Sequence, residues 1–141
     1  MSSPETEKLL YRQLVLTSSS DAIHQVESVI EEIRSELDVK EDVYGNMMVA
    51  VTEAVNNGIF HGNEGDPSKK VFVDFEMKHQ FRLTVRVKDE GPGFDPNSLS
   101  DPTAPENLLT IGGRGVFLMQ HLSDEITFSD EGREVEMCFN I

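Results

Sequence analysis

The chain has 141 residues, the size of one domain, and a chain near that length buries roughly 68–70% of its unfolded surface, enough for a real core. Its 12 Lys and Arg against 26 Asp and Glu leave a formal charge of −14, which repels the phosphates of nucleic acid and anionic lipid, so neither is expected as a partner. The lone Cys138 excludes an internal disulfide and a cysteine-rich zinc site, and neither a signal-peptide pattern nor a run of ~20 apolar residues is present, so a soluble, cytoplasmic protein is expected.

Residues 11–16 alternate and run into Thr17-Ser18-Ser19-Ser20, predicting a short strand and a loop in which Ser20 or Asp21 caps a helix. Ile23, Val26, Val29, Ile30, Ile33 and Leu37 then recur at three- and four-residue steps opposite Glu27, Glu31, Glu32 and Arg34, the pattern of an amphipathic first helix. Asp38 followed three residues later by Glu41 resembles a capping box. Val43, Met47, Ala50, Val51, Ala54, Val55 and Gly58 carry a second helix to about His61, where Gly62-Asn63 ends it. Residues 71–75 and 81–87 predict two antiparallel strands about a turn at Lys78-His79-Gln80. From Asp89 to Gly112 every period breaks in a stretch rich in Pro and Gly, too long for a simple connection, and residues 95–112 are expected to form a lid. Val116, Phe117, Met119, Gln120 and Leu122 predict a short third helix, and residues 125–129 and 134–141 two strands around a turn at Glu131-Gly132. The order predicts an α+β fold, a two-layer sandwich of helices on a mixed β-sheet, with residues 1–141 as a single domain.

Three clusters carry chemistry. In the second helix Glu53, Asn57 and His61 fall at i, i+4 and i+8, and at 3.6 residues per turn each step rotates only about 40°, so all three share one stripe. Such a stripe is either a solvated face or a Mg²⁺ site. Magnesium takes oxygen ligands, keeps waters and shares phosphate oxygens, so the Asn57 amide beside the Glu53 carboxylate would be enough, and that carboxylate could serve as a general base. Asp89-Glu90-Gly91-Pro92-Gly93-Phe94 directly follows a strand and reads either as a Gly-Pro turn or as an adenine pocket. In the second case Asp89 accepts a hydrogen bond from the exocyclic amine, and Gly91 and Gly93 clear space for the planar base. Gly112-Gly113-Arg114-Gly115 opens the third helix, as a flexible hinge or as an anion site in which free backbone amides and the forked Arg114 meet phosphate. Positions 96 and 118 are Pro and Leu, so neither cluster completes a dinucleotide fingerprint, and no Walker A sequence exists. His24, His61, His79 and His121 show no zinc spacing.

Glu53-Ala54-Val55-Asn56-Asn57 with His61-Gly62-Asn63, then Asp89-Glu90-Gly91-Pro92-Gly93-Phe94-Asp95, then Gly113-Arg114-Gly115-Val116-Phe117-Leu118-Met119 resemble, in this order, the N box and two glycine boxes of the GHKL superfamily of ATPases. That superfamily is shared by gyrase, histidine kinases and the heat-shock chaperones, and within it the chain is most similar to the anti-sigma factor serine kinases. The resemblance runs from about residue 10 to the end. It implies a βααββαββ histidine kinase-like ATPase (Bergerat) fold with ATP held between the second helix and the lid. It further implies Glu53 as base, Asn57 on Mg²⁺, Asp89 on adenine with Gly91 and Gly93 beside it, and Gly113, Arg114, Gly115 and Val116 at the phosphates.

The family uses Mg·ATP to phosphorylate a serine on a small anti-sigma-factor antagonist, and the unphosphorylated antagonist frees a sigma factor otherwise held by a kinase dimer. The implied protein is thus a homodimeric anti-sigma regulatory factor with serine/threonine kinase activity, and the −14 charge suits protein partners. Two departures stand out. Where the family often has Gly-Thr entering the last strand, Gly132 is followed by Arg133 and Glu134. Residues 95–112 hold Asp95, Asp101 and Glu106 but no Lys or Arg, leaving Arg114 and backbone amides to meet the terminal phosphate. Since a cationic finger is typically worth 10³–10⁵-fold in phosphoryl transfer, an acidic lid implies slow transfer and opens an alternative, a weakly or non-catalytic nucleotide-gated switch that binds a partner.

Overall fold

The computed structural model describes residues 9–93 and 113–141; the expected lid at 95–112 and the side chain of Arg114 lie outside the described residues. In chain order they form β1 (Leu10–Thr17), α1 (Ala22–Leu37), α2 (Glu41–Asn56) continued by a π turn (Asn57–Gly62), β2 (Lys70–His79) and β3 (Arg82–Lys88). After residue 112 come α3 (Gly113–Leu122), β4 (Glu125–Ser129), a 3₁₀ turn (Asp130–Gly132) and β5 (Glu134–Asn140).

The apolar stripe of α1 buries Val26, Ile30 and Ile33, and α2 buries Met47, Ala50, Val51, Ala54 and Val55, as the 3.6-residue period requires. The helix ends differ from expectation. Neither Ser20 nor Asp21 caps α1 with its side chain; instead the amides of Ala22, Ile23 and His24 donate to the carbonyls of Ser19, Ser20 and Asp21. Asp38 does not open α2 as a capping box. It closes α1 in the left-handed conformation at φ 51°, its N–H donating to the Arg34 carbonyl, while Val39 donates to the same carbonyl and is buried. Asp is among the few residues that tolerate this backbone, and burial of the next side chain holds the reversal. The N-cap of α2 is Lys40.

The five strands run in the order β1-β2-β3-β5-β4, and every neighbouring pair is antiparallel. The expected mixed sheet is thus corrected. The crossover through α3 does leave β3 and β4 pointing the same way, but β5 inserts between them, so no parallel neighbours arise. The turn between β2 and β3 lies at Gln80 and Phe81, beyond the expected Lys78-His79-Gln80, with Phe81 exposed at φ 68°. Inward-facing Leu16, Val73, Phe75, Leu83, Val85, Met137 and Phe139 join Val26, Ile33, Val51, Ile59 and Met119 in the core between the layers. On the other strand face Arg86 pairs with Glu76 and Glu136, and Arg82 with Glu125. Cys138 is a buried residue of β5. Among the described residues no helix is long and apolar enough to cross a membrane.

Candidate nucleotide site

The site is built on the end of α2. From Asn57 the helix widens: the Asn63 N–H donates to the Gly58 carbonyl five residues back at 2.8 Å. Single π turns of this kind occur often at functional sites. Gly58 packs against Val71, where a Cβ would fall 3.3 Å from Cγ2, so the turn lies close on β2. Asn63 follows it and is fully buried. Its amide donates to Ser18 Oγ and to the Lys70 carbonyl, each at 2.9 Å, and its Oδ1 accepts the Glu90 N–H at 2.8 Å. One side chain thereby ties the end of β1, the start of β2 and the loop after β3.

Asp89 opens that loop. Its N–H donates to the Arg133 carbonyl at 3.0 Å, and its Oδ1 accepts the Gly91 N–H at 2.8 Å. Burial raises its pKa above the usual carboxylate value, with Asp130 adding to the rise, while the Gly91 N–H, Arg133 and Lys69 oppose it. The glycines around it are dictated by contact. A Cβ on Gly62 would lie 2.4 Å from the Asp89 carboxyl carbon, and one on Gly91 only 1.9 Å from the Gly62 carbonyl oxygen. Gly93, at φ 84°, faces the Glu131 carbonyl, 2.3 Å from where a Cβ would stand. The loop is therefore clamped between the π turn and the β4–β5 turn, and only glycine fits at either jaw.

The second glycine box meets the same helix end. A Cβ on Gly115 would fall 2.7 Å from Asn57 Nδ2 and 3.0 Å from Oδ1, so the first turn of α3 rests directly on the Asn57 amide. Asn57 and Glu53 are half-exposed, and neither side chain has a hydrogen-bond or ionic partner among the described residues. His61 lies farther out and is exposed, although partial desolvation lowers its pKa. Val116 is buried in the core, so only its backbone is left for a ligand. No group of three or more His, Cys, Asp or Glu able to hold a metal occurs among the described residues. The Asn57 amide oxygen, against the first turn of α3, and the Glu53 carboxylate one helical turn before it fit a cation that brings phosphate oxygens with it, the arrangement magnesium favours.

The structure thus gathers Asn57, Asp89, Gly91 and Gly115 around the π turn, with Gly93 against the β4–β5 turn, Glu53 one helical turn away and Gly113 at the start of α3. Sequence reasoning missed two residues. Asn63 reads as a helix stop, yet it is a buried junction. Arg133 reads as a departure from the family, yet its Nε donates to the Gly91 carbonyl at 2.7 Å and its Nη2 to the Pro92 carbonyl at 3.1 Å. In both cases the partners are largely backbone groups, which leave no mark on residue type.

Comparison with known proteins follows the same line. Residues 16–139 match the family model described as histidine kinase-like ATPase domain. Among curated proteins, the chain is 30% identical over 99 residues to the serine-protein kinase RsbW of Listeria innocua, covering 65% of this chain and 62% of that protein. It is 32% identical over 112 residues to RsbW of Bacillus licheniformis, covering 74% and 69% respectively. It is 33% identical over 111 residues to the anti-sigma F factor of Anoxybacillus flavithermus, covering 73% of each. The chain therefore spans only 62% of the length of the Listeria relative. A crystal structure of the RsbU and RsbW domains of Rv1364c from Mycobacterium tuberculosis aligns with a TM-score of 0.60 at 15% identity, covering 92% of this chain and 31% of that one, which shows a common fold.

Proposed function

As the chain belongs to the histidine kinase-like ATPase domain family, we propose that it is an anti-sigma regulatory factor and an ATP-dependent protein-serine/threonine kinase. It binds Mg·ATP, phosphorylates a serine or threonine of an anti-sigma-factor antagonist, and sequesters a sigma factor, as a homodimer in the cytoplasm. The names of its relatives, serine-protein kinase and anti-sigma F factor, support this reading. The observation that carries it is the closure of both glycine boxes on one helix end, Gly91 against Gly62 and Gly115 against Asn57.

In this reading Asp89 accepts the adenine amine, and Gly91 and Gly93 leave room for the ring. Asn57 offers the metal-facing oxygen. Gly113, Gly115 and the backbone of Val116 present amides to phosphate, and Arg114 is the cation that the sequence assigns to it. Bound Mg·ATP supplies the γ-phosphoryl group and offsets its charge. Glu53 takes the acceptor hydroxyl proton as the new O–P bond forms and the β,γ bond breaks, leaving ADP.

Calorimetric titration of ATP and ADP, with and without Mg²⁺, tests the site: Asn57→Ala should lose the magnesium-dependent part of binding. Glu53→Gln should keep nucleotide binding and lower transfer to the antagonist by about 10²–10⁴-fold, the usual worth of a general base. Folded wild-type protein that binds no nucleotide would overturn the reading. Binding without transfer would favour the nucleotide-gated switch.

A further inference from the structure

Arg133 spends its whole guanidinium on the site. Besides Nε to the Gly91 carbonyl and Nη2 to the Pro92 carbonyl, its Nη1 donates to the Asp130 carbonyl at 3.1 Å and lies 3.3 Å from a Glu131 carboxylate oxygen. Its own carbonyl accepts the Asp89 N–H, and Gly91 in turn donates to the Asp89 carboxylate. The ring of contacts runs from Arg133 through Gly91 to Asp89 and back. The turn that presents Arg133 holds Asp130, Glu131 and Gly132 at φ 53°, 57° and 85°. Two consecutive non-glycine residues in this region persist only where the surroundings over-determine them, and bonds from Arg133 to Asp130 and Glu131 do so.

We propose that Arg133 is a positioning residue for nucleotide binding, which holds the Asp89 carboxylate toward adenine by gripping the Gly91 and Pro92 carbonyls from the β4–β5 turn. The inference rests on the nucleotide-site reading above. It gives a role to the position where the family's threonine is replaced, with anchoring of the pocket wall done by a side chain that does not touch the base. A planar fork can hold two successive carbonyls at once, which a point-charge ammonium cannot reproduce.

The same guanidinium is a cation beside Asp89. Lys69 also favours the ionised carboxylate, whereas burial and Asp130 oppose it. Fork and charge are therefore separable. The test is calorimetric titration of ADP with Mg²⁺ across the acid-to-neutral range into wild type, Arg133→Met and Arg133→Lys, with amide exchange at Gly91 followed by NMR in the free proteins. Arg133→Met should bind ADP about tenfold more weakly. Its binding midpoint should move to higher pH, and its Gly91 amide should exchange faster. Arg133→Lys should also lose affinity but keep the wild-type midpoint. Wild-type affinity and midpoint in Arg133→Met would overturn the proposal. So would weaker binding with an unmoved midpoint in both variants, which would leave Arg133 a brace of the fold alone. Absence of ADP binding by wild type would instead overturn the nucleotide reading, and this inference with it.

Discussion

Desolvation of the half-buried Asp89 side chain, with Gly62 packed against its carboxyl group, disfavours its ionised form. A carboxyl whose pKa rises on folding holds its proton more tightly in the native state. Its contribution to stability is fully present below the ordinary carboxylate value and is lost as pH rises through the raised native value. Asp89→Asn removes that loss. Its melting temperature should exceed that of wild type at neutral pH, and the gap should close as pH falls into the carboxylate range, which thermal melts at several pH values would check. Affinity should move the other way: wild-type ADP binding weakens as Asp89 protonates in acid, and Asp89→Asn binds poorly at every pH because half of its amide donates where an acceptor is needed. Under the proposed nucleotide reading, Asp89 yields stability to the site.

At the scale of elements, Asp38 and Asn63 make opposite predictions. Asp38 ends α1 in a left-handed conformation with its negative charge near the helix's negative end, both unfavourable. Asp38→Gly should therefore stabilise the protein by about 0.5–1 kcal/mol in urea unfolding, since glycine adopts this backbone freely. Asn63→Ala strands the Glu90 N–H and the Lys70 carbonyl in a buried junction and should cost about 2–4 kcal/mol in the same assay. The contrast also marks what was legible in the sequence. The stripes of Val26, Ile30 and Ile33 and of Val73, Phe75, Leu83 and Val85 were readable because burial imposes a period on residue type. The residues proposed for the site, Glu53, Asn57 and Asp89, stand out in the sequence because few side chains could do the chemistry proposed for them, and Gly62, Gly91 and Gly115 stand where nothing larger fits. The end of α1 was misread because Asp serves helix starts and left-handed turns alike. The π turn was invisible, since one extra residue in a turn changes no residue's character.

For the molecule as a whole, 26 acidic side chains meet 12 Lys and Arg, so carboxylates outnumber these cations by more than two to one. The pairs Arg82–Glu125, at 2.7 Å, and Arg86–Glu136, at 3.1 Å, are partly exposed and worth little individually. Net repulsion should outweigh them. Raising sodium chloride from low to physiological concentration should raise the melting temperature by screening that repulsion, as scanning fluorimetry would read; a fall would mean that the local pairs dominate.

Strand order also sets an order in time. The β1–β2–β3 part of the sheet can assemble once residue 88 has emerged, but β3 then waits with a bare edge, because its partner at residues 134–140 is synthesised last among the described strands. The strand that emerges in between, β4, pairs among the described strands with β5 alone and offers no relief. A nascent chain thus carries an unpaired edge through the synthesis of about fifty residues, a template for pairing with a neighbouring chain. The arrival of the β4–β5 hairpin should then be the slow event in folding, and overproduction that crowds nascent chains together should favour aggregation through residues 82–88 until that hairpin docks.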